Sequence, residues 1–228
     1  MKVSHILQSV FPTVCAICGA VSEDPSIHIC NNCYESLPFR RGFFVWGPSR
    51  NDGFRFCSGI FCPLYYEGRV PALIADIKFH GRRESASILG ALLAQMLRRS
   101  SLAPTGSGAA PAVLVPIPLH RDRYRRRGYN QAETIAARVS AATGILLAPG
   151  LLVRGANTPA QHLQNRRDRM QMAAVFAASP RARGKVVVLV DDVITTGATM
   201  EAAAQALLLQ GARAVYYAAA AGNLPLSP

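Results

Sequence analysis

No apolar run in this chain approaches the ~18 residues that a membrane-spanning helix needs, so no span is expected. The first residues carry one lysine and an apolar stretch interrupted by His5 and Gln8, with no clear small-residue cleavage site, and make a poor secretory leader. Acidic residues are scarce: 13 Asp and Glu stand against 25 Lys and Arg, giving a net charge of +12. Such a surface attracts polyanions, whether a pyrophosphate ester or a nucleic-acid backbone, and net charge alone does not choose between them. Charged residues make up only 17% of the 228 and half are hydrophobic, which excludes wholesale disorder and allows one α/β domain with a small appendage. No internal repeat is visible.

Six cysteines are present. With no leader evident, a cytoplasmic address is expected, where thiols bind metal more often than they form disulfides. Cys15-Ala-Ile-Cys18 and Cys30-Asn-Asn-Cys33 are two CxxC knuckles with eleven residues between them. Each knuckle can present two thiolates to one ion, and together they complete a tetrahedral four-thiolate site, for which Zn²⁺ is the expected metal. Four buried free cysteines or a redox pair would be the alternative. A closed site of this kind is structural, because a segment under ~40 residues usually needs a metal to hold its shape. Cys57 and Cys62 do not have knuckle spacing; in a strand from Phe56 to Tyr66 they would point to opposite faces, as buried thiols.

The functional centre reads Lys185-Val-Val-Val-Leu-Val-Asp-Asp-Val-Ile-Thr-Thr-Gly-Ala-Thr-Met200. Val186 to Val190 suits a central strand covered on both faces. Met200, Ala203, Ala204, Leu207 and Leu208 then form a helical stripe ending at Gly211. Between strand and helix, Thr195, Thr196, Gly197, Ala198 and Thr199 supply hydroxyls, backbone amides and a glycine at a helix N-terminus, which makes a phosphate cradle. Asp191 and Asp192 would repel that phosphate if they touched it. They suit the neighbouring sugar hydroxyls, directly or through hydrated Mg²⁺, so a ribose 5-phosphate is the expected ligand. An ordinary capped turn is the alternative.

Around this centre, Val70 to Phe79 reads as a short helix, and Leu89, Leu92, Leu93, Met96 and Leu97 as the stripe of another ending at Arg98-Arg99. Ser100 to Ala110 is a Ser, Gly, Ala and Pro loop. Ala112 to His120 is a strand broken by Pro116 and Pro118, followed by a basic loop with five arginines in seven residues, Arg121 to Arg127, ahead of a helix from about Asn130 to Ala142. Arginine forks suit pyrophosphate oxygens, although a charge run can also be merely solvated. Arg154 to Gln171 is polar, with Asn157, Gln161 and His162, and reads as a loop with the makings of a lid. Ala214 to Ala220 is the last strand.

The run Val188-Leu-Val-Asp-Asp-Val-Ile-Thr-Thr-Gly-Ala-Thr199 resembles the phosphoribosyl-pyrophosphate (PRPP) motif of type I phosphoribosyltransferases. Combined with the two knuckles, with Val115-Pro-Ile-Pro-Leu-His120, with Arg123 and with Arg127-Gly-Tyr-Asn-Gln131, it is similar to the ComF family of competence-associated, phosphoribosyltransferase-like proteins. Ile74-Ala-Asp-Ile-Lys-Phe-His-Gly81 resembles that family's Lys-Phe-x-Gly segment. The resemblance implies an open, mostly parallel sheet flanked by helices, with a four-cysteine zinc-binding domain over 1–38, a connector over 39–55 and the phosphoribosyltransferase-like domain over 56–228. Many relatives carry further CxxC pairs; here one set implies one zinc. Also implied are the 5-phosphate on Thr195 to Thr199, Asp191 and Asp192 at the ribose and Mg²⁺ as the catalytic pair, and Lys78, Arg123 and Arg127 among the PRPP contacts. Transfer of the phosphoribosyl group to an unidentified acceptor would follow, in a protein associated with DNA uptake and its machinery. A catalytically silent member that binds single-stranded DNA is the other reading, although aromatic residues are thinly interleaved with the arginines.

Overall fold

The computed structural model describes residues 13–22, 27–40, 54–104, 112–155 and 175–223. Most of the connector, the 105–111 part of the Ser/Gly/Pro loop and the lid segment from Asn157 to Gln171 lie outside the described residues. In chain order the elements are α1 (Asn31–Glu35), β1 (Ile60–Phe61), β2 (Leu64–Tyr65), α2 (Val70–Ala75), a π-helical turn (Asp76–His80) and α3 (Arg83–Arg98). There follow β3 (Val113–Pro116), α4 (Arg121–Arg127), α5 (Gln131–Thr143), β4 (Leu146–Leu147), β5 (Leu152–Arg154), β6 (Phe176–Ala178), β7 (Val186–Ile194), α6 (Ala198–Leu209) and β8 (Ala214–Gly222).

Six strands form one sheet in the order β1-β8-β7-β3-β4, with β2 also on β8, and every pairing in it is parallel. The valine run is central, as its unbroken hydrophobicity requires. Its side chains alternate between two apolar layers. Val186, Val188 and Val190 join Leu89, Leu93, Ile135 and Val139 from α3 and α5, while Val187 and Leu189 join Met200, Ala203 and Leu207 from α6. Burying a side chain of this size stabilises the fold by about 1.5–3 kcal/mol, so the strand is anchored on both faces. β5 and β6 make a separate antiparallel hairpin.

The chain leaves β3 towards β4 and leaves β7 towards β8, in opposite directions across the sheet. Strands β3 and β7 therefore flank the topological switch point, where open α/β sheets form their ligand crevice. Proline makes the opening. Ile117 still donates to Val190 O at 2.8 Å, but Pro118 has no N–H and the β3 ladder stops there. β7 continues beyond, paired with β8 alone as far as Ile194 opposite Gly222.

Four expectations are corrected. Arg121 to Arg127 is helix α4, not a loop: His120 Nδ1 caps it by accepting from Asp122 N at 3.3 Å, and Gly128, at φ 80°, ends it. Phe56 to Tyr66 is not one strand, because Cys62 and Pro63 separate β1 from β2. Cys57 lies ahead of both, so it and Cys62 share one apolar layer rather than opposite faces, each donating to a backbone carbonyl. The helix over 70–79 is α-helical only to Ala75 and then widens into the π turn, which Gly81 closes at φ 66°.

Candidate active site and four-cysteine centre

Strand β7 carries Asp191 and Asp192 past the end of β3, so both reach the floor of a cleft of about 970 Å³ at the switch point. Lys78, Arg123, Arg127 and Thr199 line the same cleft, together with Phe79, Arg126, Gln131 and Arg154. Asp192 is 4% exposed, and its Oδ2 faces Lys78 Nζ at 2.6 Å. The π turn delivers that lysine; such single wide turns recur at functional sites. Among the described residues no side-chain cation pairs with Asp191 as Lys78 does with Asp192. Burial, and then the neighbouring Asp192 carboxylate, push its carboxyl well above the usual range, with Lys78 only partly compensating. Two carboxylates with one lysine between them fit a divalent cation, which would relieve this repulsion.

The hydroxyl-rich loop sits at the edge of this cleft. Thr195, Thr196, Ala198 and Thr199 are exposed, and Thr199 alone of the loop lines the cleft. Gly197, at φ 75°, is the N-cap of α6. Its α-carbon lies under the Phe54 ring, and a Cβ there would overlap that ring. Among the described residues the N–H groups of Thr195, Thr196, Gly197, Thr199 and Met200 have no backbone partner, and Ala198 N reaches only Thr196 Oγ1 at 3.4 Å. The amides of the cradle are therefore available to an anion, while Phe54 covers its other side.

Phe54 is held by Glu201, in the first turn of α6. Its carboxylate accepts from Arg55 N at 2.9 Å, Phe56 N at 3.3 Å and the Tyr217 hydroxyl. A carboxylate at that position would otherwise oppose a phosphate at the helix N-terminus; here three donors draw its oxygens towards Arg55, Phe56 and Tyr217. The Phe54 and Tyr217 rings meet edge to face at 5.9 Å.

Cations line the opposite wall. Helix α4 buries none of its residues. Behind it, Asn130 Nδ2 donates to Ile117 O at 2.9 Å and its Oδ1 accepts from Ala132 N at 3.0 Å, fixing α5 to the end of β3. Arg127 donates to Gln131 Oε1 and stacks on Phe79 with its guanidinium 5.8 Å from the ring centre. Arg154, at the end of β5, lies over Phe176 at 5.3 Å. Burial, and then Arg123, lower its pKa, while Asp191 acts the other way. An anion between Arg123 and Arg154 would remove this like-charge conflict. Arg154 and Phe54 carry no motif of their own and went unread as site residues, whereas Phe79 belongs to the Lys-Phe-x-Gly segment but was given no role; the fold brings Arg154 and Phe79 to the cleft and Phe54 against Gly197.

In the N-terminal unit, the sulfurs of Cys15, Cys18, Cys30 and Cys33 all lie within 4.8 Å of one another, a cluster that could hold zinc. Burial raises the Cys15 thiol, but N–H groups of Cys30, Cys18 and Ile17 outweigh it and bring the pKa to about 6. Cys33, raised by burial and by its neighbouring thiols, reaches about 12. Such crowding of sulfurs with turn amides aimed at them fits a metal ion better than four independent thiols. Ile29, Cys33 and Leu37 share the apolar layer of Leu64, Leu73 and Leu92, so the cysteine unit packs directly on the sheet domain.

A crevice at the switch point of a parallel sheet, with two acids, a threonine loop and facing arginines, defines a phosphoribosyltransferase-type domain. The phosphoribosyl transferase domain family matches residues 88–224. The chain is 33% identical to the DNA utilization protein YhgH of Salmonella typhi over 89% of this chain and 81% of that one. It is 27% identical to the competence protein ComFC of Bacillus subtilis over 90% and 75% respectively. The chain belongs to the ComF family. Among solved structures, the glutamine PRPP amidotransferase from B. subtilis, complexed with ADP and GMP, overlaps 58% of this chain and 25% of its own, at 24% identity and a TM-score of 0.40. No helix among the described residues is long and apolar enough to cross a membrane.

Proposed function

We propose that the protein binds PRPP with Mg²⁺ in the switch-point cleft and transfers the phosphoribosyl group to an acceptor, in the uptake or use of DNA. The observation that carries this reading is the pairing of Asp191 and Asp192, at the end of the central strand, with Arg123, Arg127 and Arg154 across one cleft. The 5-phosphate would take the free amides and hydroxyls of Thr195 to Thr199, and the ribose hydroxyls would face Asp191 and Asp192. Mg²⁺ held by these two carboxylates would supply countercharge to the pyrophosphate. An acceptor lone pair forms a bond to C1 as the C1–O bond to pyrophosphate breaks and pyrophosphate leaves with that electron pair. The chain's own contribution is electrostatic and positional: the arginines stabilise the leaving charge, and the carboxylates and threonine loop hold the sugar.

The names of the two relatives, concerned with DNA utilization and competence, support the DNA-related role and a link to uptake machinery. All six cysteines are free, in keeping with cytoplasmic work and zinc on the N-terminal four. The test is calorimetry with Mg-PRPP: the chain should bind, and Asp191→Asn with Asp192→Asn should abolish binding. Unchanged affinity in the double variant would remove the site.

Helix α4 favours a second reading, single-stranded DNA binding. It exposes four arginines and the half-exposed Tyr124. Retention on single-stranded DNA should then fall steeply with salt, and with Arg125, Arg126 and Arg127 changed to Ala. Retention that ignores both would leave PRPP chemistry alone.

A further inference from the structure

Arg40 is 7% exposed, and a guanidinium is rarely taken out of water unless its place demands one. What it holds is the end of β8. Its Nη1 donates to Gly222 O at 2.8 Å, its guanidinium lies over the Tyr65 ring at 4.4 Å, and its backbone N–H donates to Pro63 O at 2.9 Å. Gly222 has little room to shift. Its carbonyl also accepts from Tyr66 N at 3.3 Å, and a Cβ on it would lie 2.8 Å from Ile194 O and 3.2 Å from Cys62 Sγ. Ile194, the ladder partner of Gly222, is the residue from which the threonine loop starts. Past the end of β3, β7 pairs with β8 alone among the described residues, so the start of the loop follows the end of β8.

On its other side Arg40 continues from the cysteine unit. Cys33 lies in α1, Leu37 N donates to Tyr34 O at 3.1 Å as that helix ends, and Leu37 is buried in one apolar layer with Cys15, Cys30 and Cys33. Phe39 then bridges to Leu64, and Tyr65 N donates to Pro38 O at 2.9 Å. A short run thus ties the fourth cysteine to the strand end that carries the loop.

We propose that Arg40 is a positioning residue that couples the two ends of this run: metal on the four cysteines and ribose 5-phosphate on the threonine loop each tighten the other's binding. The ligand's identity rests on the PRPP reading, and the metal's on the four-thiolate centre. Metal fixes α1 and Leu37, these seat Arg40, and Arg40 holds the end of β8. The loop amides are then in place before the phosphate arrives, and less ordering is left to oppose binding.

Coupling between sites has the same factor in both directions. In the full chain, below the melting temperature of the metal-free form, calorimetry should find ribose 5-phosphate bound about fivefold or more weakly once a zinc-selective chelator has removed the metal. Chelator competition should find zinc bound more tightly by that same factor when ribose 5-phosphate is saturating. Arg40→Met should weaken ribose 5-phosphate binding in the zinc-loaded protein and bring the factor to one, whereas a merely structural arginine would lower the melting temperature and leave the factor alone. Arg40→Lys keeps the charge and a donor for Gly222 O, so it should keep only part of the factor; it decides the matter if circular dichroism shows the methionine variant unfolded. If ribose 5-phosphate fails to bind the zinc-loaded parent, the PRPP reading falls and takes this one with it. If the purified chain holds no zinc, the four-thiolate assignment falls and does the same. If both bind and the parent's factor is one, or the full factor survives in the folded Arg40 variants, the coupling through Arg40 alone is overturned.

Discussion

Lys78 Nζ lies 2.6 Å from Asp192 Oδ2, so the cation that neutralises one acid of the β7 pair comes from a π turn far earlier in the chain. Asp192 is buried, and losing its partner would leave an uncompensated charge beside Asp191. Lys78→Met should therefore lower stability. Breaking a fully buried pair costs about 3–5 kcal/mol, and partial exposure of the lysine reduces this to roughly 1–3 kcal/mol. Mg²⁺ should restore more stability to Lys78→Met than it adds to the parent chain. Urea melts with and without Mg²⁺ measure both, and an unchanged, Mg²⁺-indifferent midpoint would mean that the pair neutralises nothing.

Asp191 shifts in the opposite sense from a salt-bridged acid. Burial and Asp192 raise its pKa in the folded chain, whereas in the unfolded chain it ionises near the ordinary value of about 3.9. As pH rises from that value through the folded pKa, the unfolded state sheds its proton first, so the raised group costs stability across that window. Asp191→Asn removes this cost. The variant should melt higher than the parent at neutral pH, the gain should shrink on acidification and vanish below about pH 4, and Mg-PRPP binding should be lost. A variant less stable than the parent at pH 7 would contradict the desolvation argument.

These two acids also mark where the sequence was informative. Val186 to Val190 and the Met200 to Leu208 stripe could be read because each obeys the burial period of its element. The Thr-rich loop followed from its place between them. Helix α4 was misread because it buries nothing, so no apolar period announced it; a His120 cap and a Gly128 stop hold it instead. The ion pair of Lys78, the approach of Arg154 to Arg123 and the seat of Phe54 on Gly197 are long-range contacts, fixed by strand order rather than by local pattern. Cys57 and Cys62 were correctly read as buried thiols but for the wrong reason, since Cys57 is in no strand.

The four-cysteine cluster shares its apolar layer with the sheet, so metal loss should be felt beyond the knuckles. Protein purified without chelator should hold about one zinc per chain, and Cys33→Ser should lose it. Chelation should lower the melting temperature of the whole chain by several degrees, because Ile29 and Leu37 lose the scaffold that seats them. Zinc is measured by atomic emission and melting by calorimetry. A ratio well below one together with an unchanged melt would refute the four-thiolate assignment.

Gly197 and Phe54 should be energetically coupled. Residue 197 is in the left-handed region, which costs a side-chain-bearing residue about 1–2 kcal/mol, and a Cβ would also displace the Phe54 ring. Gly197→Ala should thus lose more than the backbone term alone, by the further 1–3 kcal/mol or so that overpacking brings. Phe54→Ala makes room, so the double variant should be more stable than the two single losses predict, by about 1 kcal/mol or more. The cycle is read from urea melts, with ribose 5-phosphate affinity measured alongside. Additive losses would show that the ring does not press on the loop. If coupling appears and Glu201→Ala weakens ribose 5-phosphate binding in the same way as Phe54→Ala, the anchor at Arg55 and Phe56 acts through the ring to hold the cradle in its binding shape.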